Sequence, residues 1–148
     1  MIKHYTFDDN MAVKVELMNI RDFPIHYHNE FQILYVLKGE LILQHIYAKY
    51  MLQPGSIHIL HSCDVHSITS VTDDNLVMVL TFDVEYFKKI FPEFITTVFI
   101  TNIDETAFQK RDVLRDQIFS IVSEQYNQHP GYASRVNNTA VALINTLI

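Results

Sequence analysis

Apolar residues recur with two different periods along this chain, and the change between them fixes the broad architecture. From residue 12 to residue 82 they come in short runs cut by turn-forming residues. Residues 12–18 alternate apolar and polar positions, as a half-buried strand does. Strands are expected at 31–37, 41–47, 57–60, 65–71 and 76–82, with turns at Lys38-Gly39-Glu40, Pro54-Gly55 and the polar cluster at 72–75. The run 76–82 is almost continuously apolar and suits a strand buried on both faces. Many short strands at this spacing build a sandwich or a barrel. After Asp83 the pattern changes. Residues 84–90 predict a short helix stopped by Pro92, and 95–100 a short β-prone stretch. From about residue 104 the spacing is helical, with Thr106 or Asp104 as the candidate cap and a break at His129-Pro130-Gly131. The fold class is therefore mainly β with a C-terminal α-helical pair.

Composition narrows the function classes. The chain has 148 residues, 49% of them hydrophobic and 19% charged, which suits one well-packed domain. No run of about 20 apolar residues is present, so no membrane span is expected. The N-terminus lacks the apolar core of a signal peptide. The single cysteine, Cys63, cannot form an internal disulfide, and the expected location is the cytoplasm. A formal net charge of −6, with only Lys110-Arg111 as a basic pair, argues against direct binding of nucleic acid by these residues.

The histidines carry the chemistry. His26 and His28 are two apart in an extended segment and face the same way. His66 follows in a second strand-rich region, with His58 and His61 before it. Three imidazoles converging inside a β domain read either as ligands of a divalent transition metal (zinc, iron, nickel or copper) or as the wall of a polar pocket. His58 and His61 are three apart, so at most one of them looks inward. Glu30 shares the parity of His26 and His28 and is a candidate compensating carboxylate, unless a turn at Asn29-Glu30 spoils the alignment. Cys63 reads as an unreactive loop or buried thiol.

His26, His28, Gln32 and Gly39 resemble the first cupin motif, and Gly55 followed by His66 resembles the second. The wording Phe23-Pro-Ile-His-Tyr-His-Asn-Glu30, then Leu34-Tyr-Val-Leu-Lys-Gly-Glu-Leu41, is similar to the N-terminal sensing domain of AraC-type transcription regulators. That resemblance implies a cupin-like double-stranded β-helix barrel followed by a helical hairpin. It implies a sensing barrel over 1–90, a connection over 91–103 and a two-helix dimerisation region over 104–148 packed on the barrel. A small-molecule effector, a sugar or another metabolite, is then expected in a pocket of His26, His28, Gln32, His66 and Tyr35, with residues 1–9 as an arm near its mouth. No catalytic residue and no cofactor are required by this reading.

Two departures from the family pattern stand out. Gln32 occupies the position where metal-binding cupins usually carry glutamate, and His61 and Cys63 stand where proline and glycine are usual. An amide lacks the charge that would balance a dication held by three neutral imidazoles. The rival expectation is a metal-dependent cupin enzyme, a dioxygenase or isomerase, with His26, His28 and His66 as the metal ligands.

Two apolar stripes follow the strands. Leu114, Ile118 and Ile121 lie on the first helix, and Val136, Leu143 and Leu147 on the second. On a barrel with its own core, such stripes are expected to make a homodimer. The last helix still carries its apolar pattern at Leu147-Ile148. It reads either as a terminal helix docked on its own core or as a chain that continues. In the second case DNA would be met only through a C-terminal domain of two helix-turn-helix units outside these residues.

Overall fold

The alternation in the sequence becomes two antiparallel sheets with helices against one of them. The computed structural model describes residues 2, 4–94, 97, 99, 103 and 108–148. The strands are β1 (Val13–Met18), β2 (Asp22–His26), β3 (Phe31–Lys38), β4 (Leu41–His45), β5 (Lys49–Leu52), β6 (Ile57–Leu60), β7 (His66–Ser70) and β8 (Leu76–Phe82). The helices are α1 (Val84–Ile90), α2 (Phe108–Asn127) and α3 (Tyr132–Leu147). One sheet runs β1-β8-β3-β6 and the other β2-β7-β4-β5. Together they form a cupin-type barrel followed by helices.

Side-chain alternation gives the first sheet two buried faces. Leu34, Val36, Leu60, Val77 and Val79 point toward the second sheet and meet Leu41, Leu43, Leu52 and Ile68. Phe31, Ile33, Tyr35, Ile57, Ile59, Met78, Leu80 and Phe82 point the other way, into the helices. This accounts for β8, which lies between β1 and β3 and is buried at every position after Leu76.

The helical stripes complete that second core. Leu114, Ile118, Ile121, Val136 and Leu143 are 0–1% exposed and Leu147 6%, all packed within the one chain. The residues expected to form a dimer contact are therefore committed to covering the sheet. A barrel of this topology has an apolar outer face as well as an apolar interior, and the helices cover that face.

Strands 57–60 and 76–82 and the helix 84–90 match their sequence expectations. Two strands, β2 and β5, were not expected. β2 contains Pro24 and a register irregularity between Phe23 and His26, which breaks the alternation a strand shows in sequence. β5 is four residues long and only Leu52 in it is buried. Apart from Thr97 and Phe99, the β-prone stretch 95–100 lies outside the described residues, as do the candidate caps Asp104 and Thr106. No helix among the described residues is long and apolar enough to cross a membrane.

One turn needs its glycine, and another holds a side-chain-bearing residue in a strained conformation. Gly39 has φ +83°, and a Cβ there would lie 2.6 Å from both Asn75 Cβ and Thr72 Oγ1. Asn75, itself buried, accepts from Ile20 N at 2.8 Å and donates to Ile20 O at 2.7 Å, so its side chain serves as a short strand partner. Cys63 has φ +66°, a left-handed conformation that glycine adopts without strain.

Candidate functional site

Register builds the site. His26 and His66 are direct cross-strand partners on β2 and β7, and His66 is in turn opposite His45 on β4. Directly opposed residues share a face, so three imidazoles lie in a row across one sheet. His28, just beyond β2, joins them, with ring centroids 5.0 Å from His66 and 5.8 Å from His26. His58 reaches across from β6 of the other sheet, its Nε2 3.1 Å from His45 Nε2.

Each ring of the triad is held by the main chain. His26 Nδ1 donates to Pro24 O at 2.8 Å, His28 Nδ1 to Glu30 O at 2.9 Å and His66 Nδ1 to Asp64 O at 2.8 Å. A carbonyl only accepts, so the proton sits on Nδ1 and the Nε2 lone pair is left for the interior. One ring nitrogen from each of His26, His28 and His66 lies within 4.8 Å of the others. Burial drives the His66 pKa down to about 4 against the hydrogen bond to Asp64, with His26, His28 and His45 adding to the drop. Burial, then His45, His66 and His61, drive His58 down to about 3. His45 is lowered by burial too, with Asp64 opposing. At neutral pH, His45, His58 and His66 are therefore neutral.

Gln32 sits in the same interior, 4% exposed. Its Nε2 donates to Thr81 Oγ1 at 2.9 Å and to the Tyr5 hydroxyl at 3.0 Å. Tyr5 comes from residues 4–8, which belong to no helix or strand, and its ring meets His28 edge-on at 5.6 Å. What remains open among Tyr5, His26, Gln32, His66 and the apolar wall is about 20 Å³, room for one water. A larger recess of about 280 Å³ lies beyond, rimmed by Ile25, Gln44, His45, Ile46, Val65, His66 and Ser67. A wider groove, about 830 Å³, is elsewhere, between residues 7–11, α1 and α3, and no imidazole lines it.

The structure brings together His26, His28, Gln32 and His66 and corrects one expected pocket residue. Tyr35 is three residues from Gln32 on one strand, so alternation turns it to the opposite face. It packs in the helical core with its ring 5.2 Å from Phe119. His58 looks inward, whereas His61 faces the helical side, where its Nε2 accepts from Phe99 N at 2.9 Å. Glu30 supplies its carbonyl to His28, and its carboxylate is not grouped with the three histidines. Cys63 is an exposed loop residue whose thiol donates to Asn29 Oδ1 at 3.3 Å.

Sequence reasoning missed His45 and Tyr5. His45 shares the inward parity of Leu41 and Leu43, so its signal was present. Tyr5 lies within the arm over residues 1–9 that the resemblance implied, but no periodicity singles out one residue of an irregular segment.

The site and its two facing sheets define a cupin-type barrel with an imidazole-lined interior. The pattern of the AraC-like ligand-binding domain matches residues 19–131, and the chain belongs to that family. Among solved structures, a cupin 2 conserved barrel domain protein of Salinispora arenicola is similar at 16% identity over 57% of this chain and 74% of its own, with a TM-score of 0.47. A cupin superfamily protein of Desulfitobacterium hafniense is similar at 15% identity over 52% and 70%, with a TM-score of 0.44. An oxalate decarboxylase variant of B. subtilis is similar at 15% identity over 49% of this chain, with a TM-score of 0.45, and only 22% of that longer chain is spanned. No curated protein matches.

Proposed function

We propose that this domain senses a small metabolite inside the barrel and relays it to a DNA-reading domain joined to it. The observation that carries this reading is the convergence of His26, His28 and His66 beside Gln32, in an interior whose lining includes no carboxylate among the described residues. Fixed Nδ1–H groups leave acceptor lone pairs aimed inward, which suits a hydroxylated ligand. A binding role fits better than turnover because the Gln32 amide is already held by Thr81 and Tyr5. A physical route to the helices exists. Asn137 on α3 accepts from Ala12 N at 2.9 Å and donates to Asn10 O at 2.8 Å, tying the segment that follows Tyr5 to the last helix. A ligand that binds one arrangement of this segment better than another would shift the helices with it.

Homodimerisation is part of the same reading. Its contact would use outward residues of α2 such as Val113, Phe119 and Tyr126, which are 46%, 39% and 88% exposed. A thermal-shift screen of sugars and other metabolites, followed by titration calorimetry, tests the sensor reading. The expected result is a ligand that stabilises the wild-type protein and loses at least about tenfold in affinity in His66→Ala, the equivalent of about 1.4 kcal/mol. A hit bound equally well by both proteins would overturn it.

A second reading, a divalent transition metal on His26, His28 and His66, is favoured by one observation. The three Nδ1–carbonyl bonds fix tautomer and ring orientation as the outer partners of metal-ligating histidines do. The imidazoles fit such an ion; Gln32 brings no charge to balance it. Bound there, the ion would supply Lewis acidity or structural cross-linking. Elemental analysis decides the matter: under about a tenth of an equivalent, unchanged in His66→Ala, removes this reading.

A further inference from the structure

We propose that Tyr5 is an internal ligand of the barrel, and that the molecule taking its place is a small phenol. This rests on the sensor reading and names both the ligand class and its competitor. Three observations carry it. The first is space: with Tyr5 in position, the pocket it lines beside His26, Gln32 and His66 keeps about 20 Å³, room for one water, and the 280 Å³ recess beyond His66 is not lined by Tyr5.

The second observation is the quality of the fit. Tyr5 meets the fully buried His28 ring edge-on at 5.6 Å and an interplanar angle of 89°, while its hydroxyl accepts from Gln32 Nε2 at 3.0 Å. The slot thus already binds a hydroxyphenyl group, with a ring wall at one side and an amide donor at the hydroxyl. His26 and His66 add acceptor nitrogens for a second donor on an incoming molecule.

The third is the way Tyr5 is held. Residues 4–8 belong to no helix or strand, and ahead of them, among the described residues, a bridge between Ile2 and Tyr27 pairs this segment with the barrel. Downstream, Asn137 grips Asn10 and Ala12. The ring can leave its slot while the chain stays anchored on α3. A competitor for the slot is then also a switch for the segment, because ring and ligand cannot occupy it together. The apparent affinity of a phenol is reduced by the fraction of molecules in which the slot is open.

The probe is p-cresol, which is the tyrosine side chain itself. Titration calorimetry on the whole chain compares wild type, Tyr5→Ala and Tyr5→Phe, with the imidazole NMR signals of His28 and His66 reporting where it binds. Tyr5→Ala, shown folded by circular dichroism and a cooperative melt, is expected to bind at least about tenfold tighter than wild type. The His28 and His66 signals should move on binding. Tyr5→Phe keeps the ring but loses the bond to Gln32; it should fall between the two, and it carries the test if Tyr5→Ala does not fold.

Equal affinities across the variants overturn the internal-ligand role, as does the absence of binding to Tyr5→Ala. Cyclohexanol binding Tyr5→Ala as tightly as p-cresol overturns the phenol class. The sensor reading is judged separately, by the metabolite screen on wild type and His66→Ala.

Discussion

His58 has no exposed surface and sits against His45 with its Nδ1 lacking a hydrogen-bond partner among the described residues. Such a group is stable only while neutral. Its pKa of about 3 in the folded chain, against about 6.5 unfolded, means the unfolded chain binds more protons between these values. Stability is therefore complete above about pH 6.5 and declines as pH falls toward 3, with His66 contributing in the same direction down to about 4. Metal-free protein melted at successive pH values should show this decline, and His58→Leu should make it shallower. An equally steep decline in the variant would mean that other groups set the acid limit. Cys63 offers a test of backbone strain. A left-handed side-chain-bearing residue costs roughly 1–2 kcal/mol, part of which glycine gives back through its freer unfolded chain. Cys63→Gly should gain about 0.5–1 kcal/mol in chemical denaturation, while Cys63→Ala, which keeps the strain, should gain nothing.

Elements differ in how plainly the sequence announces them. β6, β8 and α1 were legible to the residue, because β8 is apolar on both faces and α1 has Asp83 as a cap accepting from Glu85 N at 3.1 Å. β2 and β5 were not, since one is bent around Pro24 and the other is mostly exposed. The same split runs through the site. The pair His26 and His28 and the spacing to His66 marked the pocket, yet Tyr35 was placed on the wrong face, and Tyr5 was not singled out within the arm expected over residues 1–9. Local pattern shows which way a strand residue points and says nothing of what an irregular segment lays across it. Gly39 is a case where the local reading holds and a number follows. Its turn must have positive φ, and any Cβ meets the Asn75 backbone at 2.8 Å as well as two side chains. Gly39→Ala should therefore cost more than φ strain alone, about 2–4 kcal/mol, and denaturant melts would show it. A loss below about 1 kcal/mol would mean that the β3–β4 turn can shift away from Asn75 freely.

At the scale of the whole molecule, the sheet β1-β8-β3-β6 and the helices share one of two cores, the other lying between the sheets. The cluster on the outer face of β1-β8-β3-β6 contains Phe31, Leu80 and Phe82 from the sheet together with Leu114, Ile118, Val136 and Leu143 from α2 and α3. Removing the helices would expose the aromatic and aliphatic side chains of β3 and β8 to water. The division at residue 90 expected from the sequence falls at the end of α1, with Phe87 before it and Phe94 after it in the same core, and we expect no independent folding on either side of it. This coupling also gives the proposed relay its mechanical basis, since a displaced α3 changes the surface packed on the sheet that carries Gln32 and Thr81. Leu143→Ala tests it. The side chain has no exposed surface, and its truncation should cost about 2–5 kcal/mol. Helical signal by far-ultraviolet circular dichroism and the environment of the barrel imidazoles by NMR should then be lost together, in one transition at a lower temperature. If the helical signal melted first and left the His28 and His66 resonances in place, the hairpin would be a separate folding unit, and a relay through a shared core would have to be abandoned.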